Sequence, residues 1–565
     1  MVRLFDTHAK RDILTLNGKW DFKTDPDNIG ELNEWNRHFP SESDYMIIPS
    51  CWNTELGYYH YEGSAWYHKK FITKQSNLVL TFNAVAHKAK VFFDSILAGE
   101  HYGAFTPFEI QLQNVNAGEH EIVVLVDNVH NMTDTIPQAQ TDWFHYGGII
   151  RDVEIAHIDD AYIRNVKINY DLDLAQHGVT IKIDLSIYSF SSKCIKKTVT
   201  ITFEDSTCLY KGEIDLNPGA NKISLDAVTI DNVIAWDIDQ PKLYYFSFDI
   251  GNDDYIDRVG FRTLKTQDGN IYLNNKSLVL KGINRHEDHP DWGFAFPVKL
   301  MKYDLSLIKN LGCNAIRGSH NPYHEAFLDL CDESGMLMWD EIPMAGHNVK
   351  QLINPLVIDR AITMMEEMIE RDFNRPSVII WSLFNECDTT SEAGYRMAEL
   401  LINKVKSLDT SRLTTYATCE PLTDICYKLV DIVSVNQYFG WYGRPYSDWN
   451  DFMVNIKEKM LKDGVSDHPL MITEYGAAAI YGDKGFESRR WSEQYQAEVL
   501  EYATTIFLGG SQVAGMYIWQ FCDVRSCKEN DLTRARSFNN KGLLNEYRKP
   551  KLAYWAVQKL YKGNQ

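Results

Sequence analysis

Two glutamates close apolar runs in this chain: Glu386 ends "VIIWSLFNE", and Glu474 ends the run inside "LMITEYG". A carboxylate at the end of a buried strand meets low-dielectric walls, which raise its pKa. Two facing carboxylates are the minimum equipment for glycoside hydrolysis, one protonating the leaving oxygen while the other attacks or activates water. Taken singly, either could be a rim ion pair; taken together, with Asn385 directly before Glu386, they favour chemistry. A third stretch, "RARSFNNKGLLNEYRKPK", sets cations beside amides in a chain of formal net charge -20. It reads as a solvated loop or as an anion site, according to what lies beside it. The "RHEDH" run lacks the spacing and the helix of a HExxH site, and no metal is expected there.

The elements that must position these residues change character along the chain. Up to residue 160, short alternating segments such as "NLVLTFNAV" and "HEIVVLVDNV" are punctuated by Gly, Asn and Asp, the pattern of an antiparallel β-sandwich. Residues 161–262 bring a second β-rich run, "VTIKIDLSIYSF" to "KLYYFSFDI", of a length that suits an immunoglobulin-like sandwich. From residue 263 to 565, eight apolar runs alternate with helical stretches: "LVLKGIN", "NAIRGSH", "MLMWDE", "VIIWSLFNE", "LTTYAT", "DIVSVNQY", "LMITEYG" and "GMYIWQFCD". Eight repeats of strand then helix predict a (β/α)8 TIM barrel, which builds its active site at the C-terminal strand ends. Glu386 and Glu474 then belong to strands four and seven, across the mouth from one another.

The whole chain sets outer bounds. Its 565 residues exceed what one core supports, and 44% hydrophobic content is globular. No segment is long and apolar enough to span a membrane, and the first residues lack a signal-peptide pattern. Ten cysteines without CxxC pairs read as reduced thiols of a cytoplasmic protein, in which the sequons at Asn131 and Asn275 carry no meaning. The acidic balance argues against nucleic acid and anionic membranes as partners.

"WSLFNECDTT" and "MITEYG" resemble the acid/base and nucleophile motifs of glycoside hydrolase family 2, which includes β-galactosidases, β-glucuronidases and β-mannosidases. The resemblance covers nearly the whole chain. "LNGKWDFKTD" and "WYHKKF" are similar to the family's N-terminal sugar-binding sandwich, of jelly-roll type, and "GINRHEDHPDWG" to its first barrel loop. "NAIRGSHNPYHEAFLDLCDESGMLMWDE" is similar to its second and third barrel strands. The resemblance implies Glu386 as general acid/base, Glu474 as nucleophile and Asn385 as a donor to the sugar 2-hydroxyl. His286 and His320 fall on mouth loops, where they would bind substrate or orient neighbours. Asp142 would reach from the sandwich towards the sugar hydroxyls, Tyr438 and Tyr442 would join from the sixth loop, and Trp519 would floor the pocket. Asn539 and Lys541 match the Asn-x-Lys motif by which β-glucuronidases recognise the sugar carboxylate, which gives the cationic stretch a purpose.

The family pattern is not followed everywhere. The glucuronidase pattern often carries Arg where this chain has Ala535, flanked by Arg534 and Arg536, and Gln437 stands where some relatives have Arg. In "DEIPMAGH", Ala345 replaces a carboxylate of the β-galactosidase magnesium site, with His347 two positions on. The segment between "DEIPMAGHN" and "NPLVIDRAI" is short, so the mouth should admit bulky aglycones or oligosaccharide ends. The reading is a retaining exo-β-glucuronidase of bacterial type, acting without cofactor on glucuronides or glucuronate-terminated oligosaccharides and forming a homo-oligomer as the family often does. A β-galacturonidase comes second and a β-galactosidase third. From a different class, a non-catalytic carbohydrate-binding protein would have little reason to keep both glutamates.

Overall fold

The computed structural model describes residues 2–204, 207–510, 513–530 and 533–563. Two antiparallel sheets, one of four strands and one of six, make the first sandwich. Its core is aromatic at the centre, with Trp20, Phe22, Trp52, Tyr67 and Phe82 packed between the sheets. The second sandwich pairs Ala161–Asp173 with Gly178–Ser189 on one side and Ile195–Phe203 with Tyr244–Asp249 on the other. Along Gly178–Ser189 every second residue is buried, the period that turns one face of a strand to a core.

The barrel is closed, with eight strands in sequence order. They are Leu280–Arg285, Ala315–Gly318, Leu337–Glu341, Val378–Asn385, Leu413–Thr418, Val433–Asn436, Leu470–Tyr475 and Gly515–Ile518, the last pairing back on the first. Every residue of Val378–Asn385 is buried, because a parallel strand has helices on one face and the barrel interior on the other. The outer helices carry side-chain caps. Asn354 accepts from Leu356 N ahead of Pro355–Asp372, and Ser391 and Ser492 do the same for Glu392–Leu408 and Glu493–Leu508. Helix Val298–Leu311 ends at Gly312, whose φ of 96° a side chain would strain.

The strand–helix alternation fails once. Between the fifth and sixth strands there is only a 3₁₀ turn, Tyr427–Leu429, where the repeat predicts an α-helix. Pro421 interrupts this short connection, and Asp424 accepts from Cys426 N and Tyr416 Oη, side-chain bonds that compete with a helix. A three-stranded sheet, Leu264–Gln267, Asn270–Leu273 and Lys276–Leu278, plugs the bottom of the barrel, with Ile271 and Leu273 packed on Leu337, Trp339, Met471 and Tyr517. The other end stays open to the first sandwich. There the irregular segment 128–147 leans over the mouth: Gln138 Nε2 donates to Gly346 O at 3.0 Å, and Arg360 pairs with Asp134 at 3.3 Å.

Candidate active site

Strand ends one, two, three, four, six and seven supply a single buried hydrogen-bond network, and Arg317 is its hub. Arg317 is 0% exposed; its Nη1 donates to Glu474 Oε1 at 2.6 Å and to Asn284 Oδ1 at 3.2 Å. Its Nη2 donates to Asn385 Oδ1 at 2.8 Å and Glu341 Oε1 at 3.1 Å, and the guanidinium lies 4.9 Å over the Trp339 ring. A planar fork suits this work because it holds several acceptors in fixed directions at once. Burial alone would raise the Glu341 carboxyl, yet Arg317, His320 and Ser382 bring it down to about 2.

Glu474 shares the same guanidinium but titrates differently. Burial pushes it up, and so does the charge of Glu386, against Arg317 and against the Tyr438 hydroxyl, which donates to Oε2 at 2.5 Å. Glu386 follows strand four with φ +49°, a left-handed conformation rare for a residue with a side chain, and its N donates to Ala417 O at 2.8 Å. Such strain gathers at working sites; here it swings the carboxyl out of the strand path. Burial raises this carboxyl too, and Asn436 Nδ2, donating to Oε1 at 2.8 Å, is its one side-chain donor among the described residues. The same Asn436 amide reaches Asn385 Oδ1 at 3.0 Å. Two donors on Asn385 Oδ1 fix the amide orientation, which leaves Asn385 Nδ2 as the donor for a ligand.

Aromatic rings line the rest of this cluster. His320 stacks on Trp519 with centroids 5.3 Å apart at 18°, and its Nδ1 lies 2.6 Å from Glu341 Oε1. His286 stands edge-on to Trp519 at 5.3 Å, and its Nε2 has no partner among the described residues. Burial holds His286 well below the ordinary histidine range, and lowers His320 as well. Trp143, from the first sandwich, closes over both imidazoles at 5.5 and 5.3 Å.

A second cluster adjoins through Tyr438. Lys541 is 1% exposed; its Nζ donates to Tyr442 Oη at 2.8 Å and sits 5.6 Å from the Tyr438 ring centroid. Among the described residues its ammonium makes no ion pair. Asn539 accepts from Lys541 N at 3.3 Å and donates through Nδ2 to Asp142 Oδ2 at 3.2 Å, while Arg534 Nη2 donates to Asp142 Oδ1. The eleven residues singled out from the sequence therefore lie in one continuous set of contacts. Ala345 offers no ligand atom, and both ring nitrogens of His347 face main-chain carbonyls, at 3.0 and 3.1 Å. Gln437 turns aside, donating to Cys419 O at 3.1 Å.

Sequence reasoning missed Arg317, Glu341, Asn436 and Trp143 as parts of the site. The strand-end filter could have found the first three, since each closes or nearly closes an apolar run; Trp143 carries no signal beyond its place after Asp142.

Paired glutamates at opposite strand ends of a TIM barrel, with polar donors around them, define a glycoside hydrolase. The family models agree: the sugar binding domain of glycosyl hydrolases family 2 matches residues 57–159, the family's middle domain 161–262 and its TIM barrel domain 264–565. The chain belongs to glycosyl hydrolases family 2. It is 28% identical to a β-glucuronidase of Streptococcus agalactiae over 96% of this chain and 94% of the relative. Among solved structures, a β-galacturonidase from Eisenbergiella tayi bound to galacturonate superposes with TM-score 0.94 at 33% identity, covering 100% of both chains. The Ruminococcus gnavus β-glucuronidase superposes with TM-score 0.88 at 25% identity, covering 100% of this chain and 98% of its own.

Proposed function

We propose that this glycoside hydrolase is a retaining exo-β-uronidase that removes terminal β-D-glucuronic acid from its substrates. The observation that carries the reading is Lys541: an ammonium 1% exposed, unpaired with any carboxylate among the described residues, one aromatic ring away from Glu474. A buried cation without a counter-ion is costly, and a uronide carboxylate supplies one. The curated β-glucuronidases at similar full-length coverage support glucuronide as the sugar. A second reading, β-galacturonide, is favoured by the higher identity and TM-score of the Eisenbergiella tayi enzyme.

The roles follow from the donors. Arg317 and Glu341 cancel in charge, so two glutamates remain to share the protons of the pocket. Glu474 has a guanidinium and a phenol hydroxyl on its oxygens, Glu386 one amide, so the negative charge settles on Glu474 and the proton on Glu386; the two titrate as a pair. Glu474 attacks the anomeric carbon as Glu386 gives its proton to the departing aglycone oxygen. Glu386, now a carboxylate, then takes a proton from the water that releases the sugar, with two inversions and net retention. Asn385 Nδ2 serves the 2-hydroxyl. Cysteines that form no disulfide among the described residues suit a reducing compartment, and we place the enzyme in the cytoplasm.

The test is Lys541→Ala on p-nitrophenyl β-glycosides. Removing one member of a buried charge pair costs about 2–5 kcal/mol. That corresponds to a loss in kcat/KM of roughly thirtyfold to several thousandfold. The loss should be confined to uronides, with thermal unfolding recorded to separate a damaged fold. Uronide turnover that survives the change intact defeats the reading.

A further inference from the structure

Asp142 is reached from the barrel by two donors of the loop after strand eight. Arg534 Nη2 donates to Oδ1 and Asn539 Nδ2 to Oδ2, the latter at 3.2 Å. The same loop carries Lys541, whose ammonium meets Tyr442. Of the two arginines that flank Ala535, only Arg534 faces this wall; Arg536 pairs with Glu546 at 3.1 Å. The Arg534–Asp142 bond is not required to dock the sandwich segment, because Asn530 Nδ2 and Cys527 Sγ both donate to Thr141 O at 2.8 Å, one residue away.

On a pyranuronide the C4 hydroxyl lies between the C3 hydroxyl and the carbon that bears the carboxylate. If the carboxylate sits at Lys541, the neighbouring hydroxyl, that of C4, would be the one within reach of Asp142 and the guanidinium bound to it. A hydroxyl both donates and accepts, so a carboxylate and a guanidinium bound to each other satisfy it from both sides. We propose that Arg534 is a specificity-determining residue: with Asp142 it reads the configuration at C4 and so separates glucuronides from galacturonides. This rests on the uronidase reading above. The unmatched epimer directs its hydroxyl away and forfeits the hydrogen bonds to this pair, and sites built to hydrogen-bond a substrate hydroxyl discriminate strongly against an analogue that cannot make them.

The test compares wild type, Arg534→Ala and Arg534→Lys on p-nitrophenyl β-D-glucuronide and β-D-galacturonide, with unfolding temperatures alongside. Wild type should favour one epimer. A charge-assisted hydrogen bond lost from the favoured substrate lowers its kcat/KM by about tenfold to a hundredfold in Arg534→Ala. The other epimer should lose less, so that the ratio moves towards one, and Arg534→Lys, with charge but no fork, should fall between. Equal losses on both epimers make Arg534 a docking contact and overturn the proposal, as does a wild type indifferent to C4. Should wild type hydrolyse neither uronide, the uronidase reading falls first, a result distinct from an unchanged ratio.

Discussion

Tyr438→Phe isolates one hydrogen bond to the proposed nucleophile. The hydroxyl donates to Glu474 Oε2 at 2.5 Å, and Glu474 is 4% exposed, so water screens the contact little. The phenyl ring remains, and with it the 5.6 Å contact to the Lys541 ammonium. A hydrogen bond to a charged group contributes about 1.5–3 kcal/mol. At about 1.36 kcal/mol per unit, that is roughly one to two pKa units. The sign is set by which form the bond favours: a donor stabilises the carboxylate, so its removal raises Glu474 further above the ordinary glutamate range. Only ionised Glu474 attacks, so the acidic limb of kcat/KM against pH should move upwards by about one to two pH units. The profile is measured from pH 4 to 9 on an activated aryl uronide. An acidic limb that stays at its wild-type pH refutes the hydrogen bond as a control on Glu474. A uniform loss at every pH places the hydroxyl on the substrate instead.

A 2-deoxy-2-fluoro uronide should label Glu474 covalently, and the first-formed product of an ordinary substrate should be the β-anomer; a label on Glu386 or initial α-product overturns the assignment. Glu386→Ala should keep most activity on aryl substrates with good leaving groups, which need little protonation, and equal losses on poor ones would exclude Glu386 as the acid. In the first sandwich the rings of His87, His130 and His145 lie tilted against one another with centroids 4.5 and 4.1 Å apart, and burial holds His87 and His130 well below the ordinary histidine range. An unfolded chain takes up these protons first, so their contribution to stability is lost as pH falls below about 6.5, at about 1.4 kcal/mol per unit for each group. Burial raises Asp288 to about 6 and Asp523 to about 7, which works in the opposite sense, so the decisive quantity is the difference between wild type and His87→Phe. Neither ring nitrogen of His87 has a partner among the described residues, and the variant should gain on wild type as pH drops from 7 to 5; parallel unfolding curves would refute this.

The barrel strands were legible because a strand buried on both faces becomes a continuous apolar run, and the site glutamates because each ends one. The helix predicted between strands five and six was not there to be found: a connection this short, interrupted by Pro421, closes with a 3₁₀ turn instead. Arg317 escaped notice for a different reason. Within "NAIRGSH" it nearly closes an apolar run, which marks its place, but nothing local says that acceptors from four other strands converge on it. Contacts between the sandwich and the barrel carry no periodicity at all. Asp142 entered only through family resemblance, and its link to Arg534 joins residues nearly four hundred positions apart.

By net charge alone, a chain at -20 is a poor host for an anionic sugar, yet the distant charges have little say. At physiological salt the screening length is about 8 Å, so most of the acidic surface is not felt in the mouth. What remains is local. Arg317 cancels Glu341 and Arg534 cancels Asp142, with Glu386 protonated and Glu474 ionised in the proposed resting state. Lys541 is then the one cation among these groups without a carboxylate in contact, held 1% exposed against a tyrosine hydroxyl. A neutral sugar seated there would strip water from the ammonium and return no charge to it. A uronide carboxylate returns that charge, with Asn539 as a neutral donor beside it. On this account selectivity for uronides comes as much from the penalty imposed on neutral sugars as from the attraction of the acid. Lys541→Ala should lower the penalty as it removes the attraction, and so should spare neutral glycosides while it weakens uronides.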